Sequence, residues 1–273
     1  MSTTVLPDLE IDRKQVEQYL DELLARRSGE GSAVLDAMRY SVLGPGQRLR
    51  PLLAYRVARM LDAECPEVTR AAAAVELLHC ASLIVDDLPC MDNSTIRRDR
   101  PCTHLVFGES TALLSAFAMV ALSARSLIDG GHSGWQMERL VRFQGKLLRT
   151  MDCSSLIGGQ DLDLKLSGAA KDVERDKISD LKTVPLFQLA VAAGAAFANV
   201  DESQKQNLKA LGREFGLAYQ MADDYIDGEE NNPAALRRQF DRTREIVRSF
   251  GPRGKTLEDL LDYLDGKAFG TRS

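Results

Sequence analysis

The sequence predicts an all-α protein folded as one bundle, and three observations carry that expectation. Helix-forming residues dominate, while the alternating β-branched and aromatic pattern of strands is nearly absent. Apolar residues recur at helical spacing, as in Val16, Tyr19, Leu20, Leu23 and Leu24. Glycine and proline gather at a few breaks (Gly44-Pro45-Gly46, Asp129-Gly130-Gly131, Ser167-Gly168, Gly251-Pro252) and leave long segments between them. A chain of 273 residues can bury a large core, and no repeat or low-complexity linker divides it. Residues 1–273 are therefore expected to form a single domain.

The first amphipathic helix is expected over residues 11–27. Helices over 49–61 and 68–85 come next. The second of these carries Ala73, Leu77, Leu78, Ala81 and Ile84 on one face and then meets Asp86 and Asp87. Pro89 ends it, because proline lacks a donor and its ring clashes with the preceding turn. The turnaround should fold Asp92 back towards Asp86. Helices over 110–127, 135–148, 154–166, 185–199 and 202–226 follow, with shorter ones near 234–249 and 257–264. The stretches 112–127 and 186–200 read as the most apolar and are expected inside the core. Arg125 interrupts the first and Gln188 and Gly194 the second. Both fall short of the ~20 apolar residues that span a bilayer, so no transmembrane segment is expected.

Composition narrows the function classes. Hydrophobic residues make up 44% and charged residues 27%, ordinary values for a soluble globular protein. A net charge of −5 with no basic tail argues against nucleic acid as a partner. Five cysteines without a Cys-x-x-Cys pair fit reduced thiols better than a disulfide framework or a zinc site. The first residues lack a basic start followed by an apolar run, so no signal peptide is read there and a cytoplasmic location is expected.

Two aspartate-rich strings carry the chemistry: Asp86-Asp87-Leu88-Pro89-Cys90-Met91-Asp92 and Asp223-Asp224-Tyr225-Ile226-Asp227. Asp223 and Asp227 fall on one helical face, with Asp224 about 100° around from Asp223. A lone string of this kind can be a solvated helix end. Here each closes a largely apolar helix, so the carboxylates are expected to face a cavity. Six carboxylates brought together repel unless cations lie between them, and Mg²⁺ takes one or two carboxylates per ion before adding water and phosphate oxygens. The pattern suits a diphosphate. Arg97 and Arg98 follow the first string and offer guanidinium forks to phosphate, although adjacent arginines also serve solubility. Arg48 and Arg50 form a candidate second anion pocket. His79 lies about two turns before Asp86 on nearly the same face, either as a site residue or as a core histidine. Lys182-Thr183 puts a cation and a hydroxyl at a helix start, where anions are stabilised.

These residues resemble the trans-isoprenyl diphosphate synthases, the polyprenyl synthetase family, from about residue 42 to 228. The segments 77–92 and 215–227 resemble that family's two aspartate-rich regions, and Gly158-Gly159-Gln160, Lys182-Thr183 and Arg97-Arg98 fall in the family order. The resemblance implies helices around a deep apolar cavity, usually in a homodimer. It implies three Mg²⁺ ions held by Asp86, Asp87 and Asp92 on one side and Asp223, Asp224 and Asp227 on the other. It also implies an allylic diphosphate bound by Arg97, Lys182, Thr183 and Gln220, and isopentenyl diphosphate bound by Gln47, Arg50, His79 and Arg98. Ionisation to an allylic cation, attack by the isopentenyl double bond and proton loss to the departing diphosphate would complete the reaction. Ala81 and Ser82, about one turn before Asp86, would set product length. Small residues there and the insertion Pro89-Cys90 favour a C20 product over C15, unless Phe117 of a neighbouring helix closes the tunnel.

Three departures stand out. Gln47 replaces a usual lysine, which weakens the expected binding of isopentenyl diphosphate. Val85 stands where a histidine often precedes the first aspartate pair. A lysine-bearing loop after the second motif is shortened or missing, with Lys267 and Arg272 as possible replacements for its charge. The expected function is geranylgeranyl diphosphate synthesis. A weakly active or regulatory subunit of a heteromeric synthase is the alternative that the shortened region favours. A class I terpene cyclase would carry an Asn/Ser/Glu metal motif in place of the second aspartate string.

Overall fold

The computed structural model describes residues 7–25, 31–129, 132–166, 178, 180–228 and 232–270. They form twelve α-helices and one two-stranded hairpin of two residues a side. In order these are α1 (Pro7–Ala25), α2 (Ala33–Val42), α3 (Leu49–Met60), α4 (Pro66–Asp86), β1 (Ile96–Arg97), β2 (Arg100–Pro101), α5 (Thr103–Phe107) and α6 (Glu109–Ser126). After them come α7 (Gly134–Thr150), α8 (Leu156–Leu166), α9 (Val184–Gly194), α10 (Glu202–Asp227), α11 (Pro233–Ser249) and α12 (Lys255–Phe269). Sequence periodicity overlooked α2 and α5. The first is a ten-residue helix started by Ser32, whose side chain accepts from Leu35 N, and the second is a single turn.

α4 lies at the centre, packed against α3, α6 and α9. Its residues from Ala71 to Leu78 are all buried, so no polar face survives over those two turns. Among the described residues it is the one helix long and apolar enough to cross a membrane, but 72% of that window is buried in the fold. Its length sets it apart, because α9, which holds the apolar residues 186–194, has only 11 residues. One continuous core reaches from Leu9 and Val16 of α1 to Leu264 and Ala268 of α12. Close helix crossings depend on missing side chains: a Cβ on Gly194 of α9 would sit 2.2 Å from the Ala54 carbonyl of α3.

A correction concerns α6. Residues 112–127 were expected inside the core, yet only one face of the helix is buried, through Ala112, Ala116 and Met119. Its other side leaves Leu114 56% and Phe117 65% exposed. Uniform hydrophobicity does not tell which face has a neighbour within the chain.

Candidate active site

The two aspartate strings begin in the last turns of α4 and α10, and Arg97 acts electrostatically on both. At the end of α4 the chain turns back on itself, with Asp92 N donating to Asp86 O at 2.9 Å, as the proline predicted. The hairpin then returns Arg97 to the helix end, where Nε and Nη2 both donate to Asp87 Oδ1 at 3.0 and 2.7 Å. The hairpin loop is Arg98-Asp99, and both residues adopt positive φ (55° and 60°). That is the backbone of a tight two-residue turn, costly for side chains other than glycine, and it aims Arg97 and Arg98 in different directions.

Arg98 turns instead to His79 of α4. Its Nη2 lies 3.3 Å from His79 Nε2, and Arg50 Nη1 lies 3.2 Å from the same nitrogen. Burial, then Arg50 and Arg98, hold the His79 pKa well below its usual value. The imidazole is thus neutral, and Nε2 is an acceptor shared by two guanidiniums. Arg50 is 8% exposed and stacks 4.5 Å above the Phe187 ring and 5.6 Å from that of Tyr219. Gln47, just before α3, has its Oε1 buried without a hydrogen-bond partner among the described residues.

Arg48 does not join the anion pocket. It is 2% exposed, with Nη1 on Glu76 at 2.9 Å and Nη2 on the carbonyls of Val42 and Gly44 at 2.7 and 2.8 Å. Its Nε reaches Glu17 at 3.2 Å. Every donor group is engaged by the fold, so Arg48 clamps the turn before α3. Glu76, one turn before His79, was not singled out from the sequence. It is 1% exposed and lies 4.0 Å from Arg98. The spacing Glu76-x-x-His79 was the signal available for it.

The remaining predicted residues form a third group. Thr183 Oγ1 donates to Gln220 Oε1 at 2.7 Å, and Gln220 Nε2 donates to Asp224 Oδ1 at 2.7 Å. Lys182 donates to Asp163 of α8 at 2.5 Å. Gly159 makes this approach possible, because a Cβ there would sit 2.7 Å from that of Leu181. Asp163 was also missed by sequence reading, since its role depends on a partner on another segment.

The two aspartate strings share one electrostatic field. Burial raises the Asp86 pKa to about 7, Asp92 and Asp87 push it the same way, and Lys182 and Arg97 pull it back. Burial and then Asp227 raise Asp223, against Lys267, Arg50 and Arg97. Arg97 acts on both strings, which places them across one space. Among the described residues no group of three or more His, Cys, Asp or Glu side chains converges as a ready-made metal site. Asp86 Oδ1 is buried without a hydrogen-bond partner. Crowded, under-compensated carboxylate oxygens of this kind fit Mg²⁺, which takes few protein ligands and completes its shell with water and phosphate.

Behind Asp86 opens an apolar cleft of about 380 Å³ between α4, α6 and α8. Ala81 and Ser82 line its α4 wall, Phe117 its α6 wall and Leu164 its α8 wall. Both residues singled out for chain length and the residue named as their rival therefore touch the same space. A polar rim of carboxylates over a long apolar cleft suits an amphiphile with a multiply charged head.

Residues 32–241 match the profile of the polyprenyl synthetase family. The chain belongs to that family. Among curated relatives, the mitochondrial geranylgeranyl pyrophosphate synthase 10 of Arabidopsis thaliana is 32% identical over 219 residues, covering 78% of this chain and 63% of the relative. Geranylgeranyl pyrophosphate synthase 4 of the same plant is 36% identical, covering 70% and 52%. The chain thus spans about half to two thirds of the length of these relatives. Solved structures of the family match almost end to end. A geranyltransferase from Legionella pneumophila superposes with a TM-score of 0.85 at 28% identity, covering 95% of this chain and 96% of that one. An FPP/GFPP synthase from Zymomonas mobilis gives 0.84 at 28% identity, covering 94% and 98%. The all-α polyprenyl synthetase architecture expected from the sequence is the one observed. Of the two replacements suggested for the missing loop lysine, Lys267 acts on Asp223, while Arg272 lies outside the described residues.

Proposed function

We propose that this protein is a magnesium-dependent trans-prenyltransferase that condenses isopentenyl diphosphate with an allylic diphosphate to geranylgeranyl diphosphate. The observation that carries this is the pairing of two aspartate strings, both acted on by Arg97, with an apolar cleft that opens at Asp86. Bound Mg²⁺, held by Asp86, Asp87, Asp92, Asp223, Asp224 and Asp227, would neutralise the diphosphate leaving group as its C–O bond breaks. Arg97, Lys182, Thr183 and Gln220 bind the allylic diphosphate. Arg50 and Arg98, spaced by neutral His79, bind isopentenyl diphosphate, and Gln47 adds a hydrogen bond without charge. The apolar walls exclude the water that would quench the allylic cation. The proton lost after condensation goes to the departing diphosphate.

The C20 product rests on the small Ala81 and Ser82 side chains at the α4 wall and on the names of the plant relatives. A homodimer is supported by the open apolar side of α6. Five free thiols support a reducing compartment such as the cytoplasm.

The test is a product assay with Mg²⁺, isopentenyl diphosphate and dimethylallyl, geranyl or farnesyl diphosphate, read by mass spectrometry. A Mg²⁺-dependent C20 diphosphate is expected. A C15 product keeps the enzyme and removes the length reading, and no condensation from any primer removes the enzyme. Ala81→Phe should shorten the product by at least one isoprene unit, because a ring fills the space that one unit needs. An unchanged product would move the limit to Phe117 or the α8 wall.

A further inference from the structure

Arg97 and Arg98 both belong to a hairpin with two residues a side. A lone two-stranded hairpin is marginal in water, so its position depends on what it is tied to. Its underside is not close-packed. A cavity of about 40 Å³, room for a few waters, lies between it, α2 and the end of α4, with Tyr40, Ile84, Asp87, Arg97 and Arg100 in its walls. Specific contacts must therefore hold the hairpin in place. Arg97 on Asp87 and Arg98 on His79 are two of them, but these are the same guanidiniums that the proposed function commits to diphosphate.

A second set of contacts meets on Tyr40 of α2. Its hydroxyl donates to the Pro101 carbonyl of β2 at 2.9 Å. The Arg100 guanidinium lies 3.8 Å above its ring, and Phe107 of α5 makes a T-shaped contact with that ring at 5.5 Å. One side chain thus holds both residues of β2 and the short helix that follows. Arg100 is the cross-strand partner of Arg97, so a shift of Arg100 is carried over to Arg97. The turn after α2 completes the seat. A Cβ on Gly44 would lie 2.7 Å from Arg100 Nη1 and 2.9 Å from the Tyr40 carbonyl, and a Cβ on Gly46 would lie 2.9 Å from Arg98 Nη1. Arg98 and Arg100 therefore both rest on this turn, where bare glycines leave them room. Arg48 clamps the same turn through the carbonyls of Val42 and Gly44.

We propose that Tyr40, with Arg100 stacked on it, is a positioning residue for both diphosphates, the anchor from which the hairpin aims Arg97 at the aspartate side and Arg98 at His79. This rests on the prenyltransferase reading above, which gives the two arginines their ligands. Tyr40 acts through the backbone of Pro101 and the side chain of Arg100, and not by touching a substrate. Without the anchor, each binding event would first have to order the hairpin, and that cost would fall on both substrates alike. The signature is a shared loss of affinity with little change in the chemical step, because the arginines still reach the diphosphates once the hairpin is ordered.

The test reads binding and turnover beside stability. Isopentenyl diphosphate, and separately inorganic pyrophosphate with Mg²⁺, would be titrated calorimetrically into wild type, Tyr40→Phe, Arg100→Ala, Arg100→Lys and Arg39→Ala, with unfolding followed in denaturant. Arg39 adjoins Tyr40 on α2 but holds Asp21 of α1, so its variant reports on loosening α2 alone. Tyr40→Phe should weaken binding of both ligands about fivefold, on the scale of one hydrogen bond, and raise both KM values by that factor with kcat within about twofold of wild type. Arg100→Ala should cost about threefold on both, and Arg100→Lys, which keeps a cation over the ring, should recover most of it. Arg39→Ala should match wild type in affinity. Wild-type affinity for both ligands in folded Tyr40→Phe and Arg100→Ala, whatever their stability, overturns the inference and leaves the prenyltransferase reading standing. A loss confined to one ligand, or an equal loss in Arg39→Ala, also overturns it. A wild-type protein that binds neither ligand overturns both readings.

Discussion

The two charged halves of this site are built in opposite ways. Around His79, cations and acceptors are already matched: Arg48 on Glu76, Arg50 and Arg98 on one imidazole nitrogen, Arg50 between two aromatic rings. Around Asp86 and Asp223, half-buried carboxylates crowd within each string with too little positive charge, and both pKa values are raised. The first half is preorganised by the protein for an anion. The second is incomplete until cations arrive. Under the proposed function, the contrast matches a metal-dependent substrate on the aspartate side and a metal-independent one on the arginine–histidine side.

The severest way to break the contrast is to remove a carboxylate from the incomplete half. Asp223→Ala should lower turnover by at least about a thousandfold, on the scale of lost transition-state charge stabilisation, while helical content stays unchanged. Turnover within tenfold of wild type would end the metal reading. Removing a charge from the matched half should instead damage the fold. Glu76→Ala leaves Arg48 Nη1 buried without its carboxylate and only the half-exposed Glu17 at Nε, and denaturant unfolding should show a loss of about 3 kcal/mol. A loss under about 1 kcal/mol would mean that the clamp is not structural.

pH sharpens the same distinction. The Asp86 carboxyl titrates near 7 in the folded protein and at its ordinary low value when unfolded. The folded state therefore holds the extra proton between about pH 4 and 7, and metal-free stability falls as pH rises through that window. Asp86→Asn should remove the penalty, raising metal-free stability at pH 8 by on the order of 2 kcal/mol and leaving pH 4 unchanged. An equal effect at both pH values would point to packing instead of charge. The smallest effect concerns the hairpin that links the halves. Asp99→Gly relieves one left-handed residue of the turn and should stabilise the protein by about 0.5 kcal/mol without altering KM. A destabilisation would show that Asp99 holds the turn through its side chain.

Much of this site was legible in the residues. A proline after a long apolar helix announced the turn that brings Asp92 back to Asp86. Helical spacing put Asp223 and Asp227 on one face, and Gln220 four residues before Asp224 was one turn from its observed partner. Arg48 was misread because arginine two residues from Arg50 looks equivalent in a string of letters. Only the packing of α4 showed that Glu76 takes one and His79 the other.

The sequence by itself determined the all-α class, the helix ends that carry the aspartates, the family and its diphosphate chemistry. These are local properties: a 3.6-residue period, a proline's missing donor and the mutual repulsion of adjacent carboxylates are felt within a few turns of chain. The tertiary structure decided which arginine is a clamp and which faces the cavity, which side of α6 stays open, and that Lys182 meets Asp163. Those outcomes depend on which helix faces meet, and that is set by close packing between segments far apart in the chain.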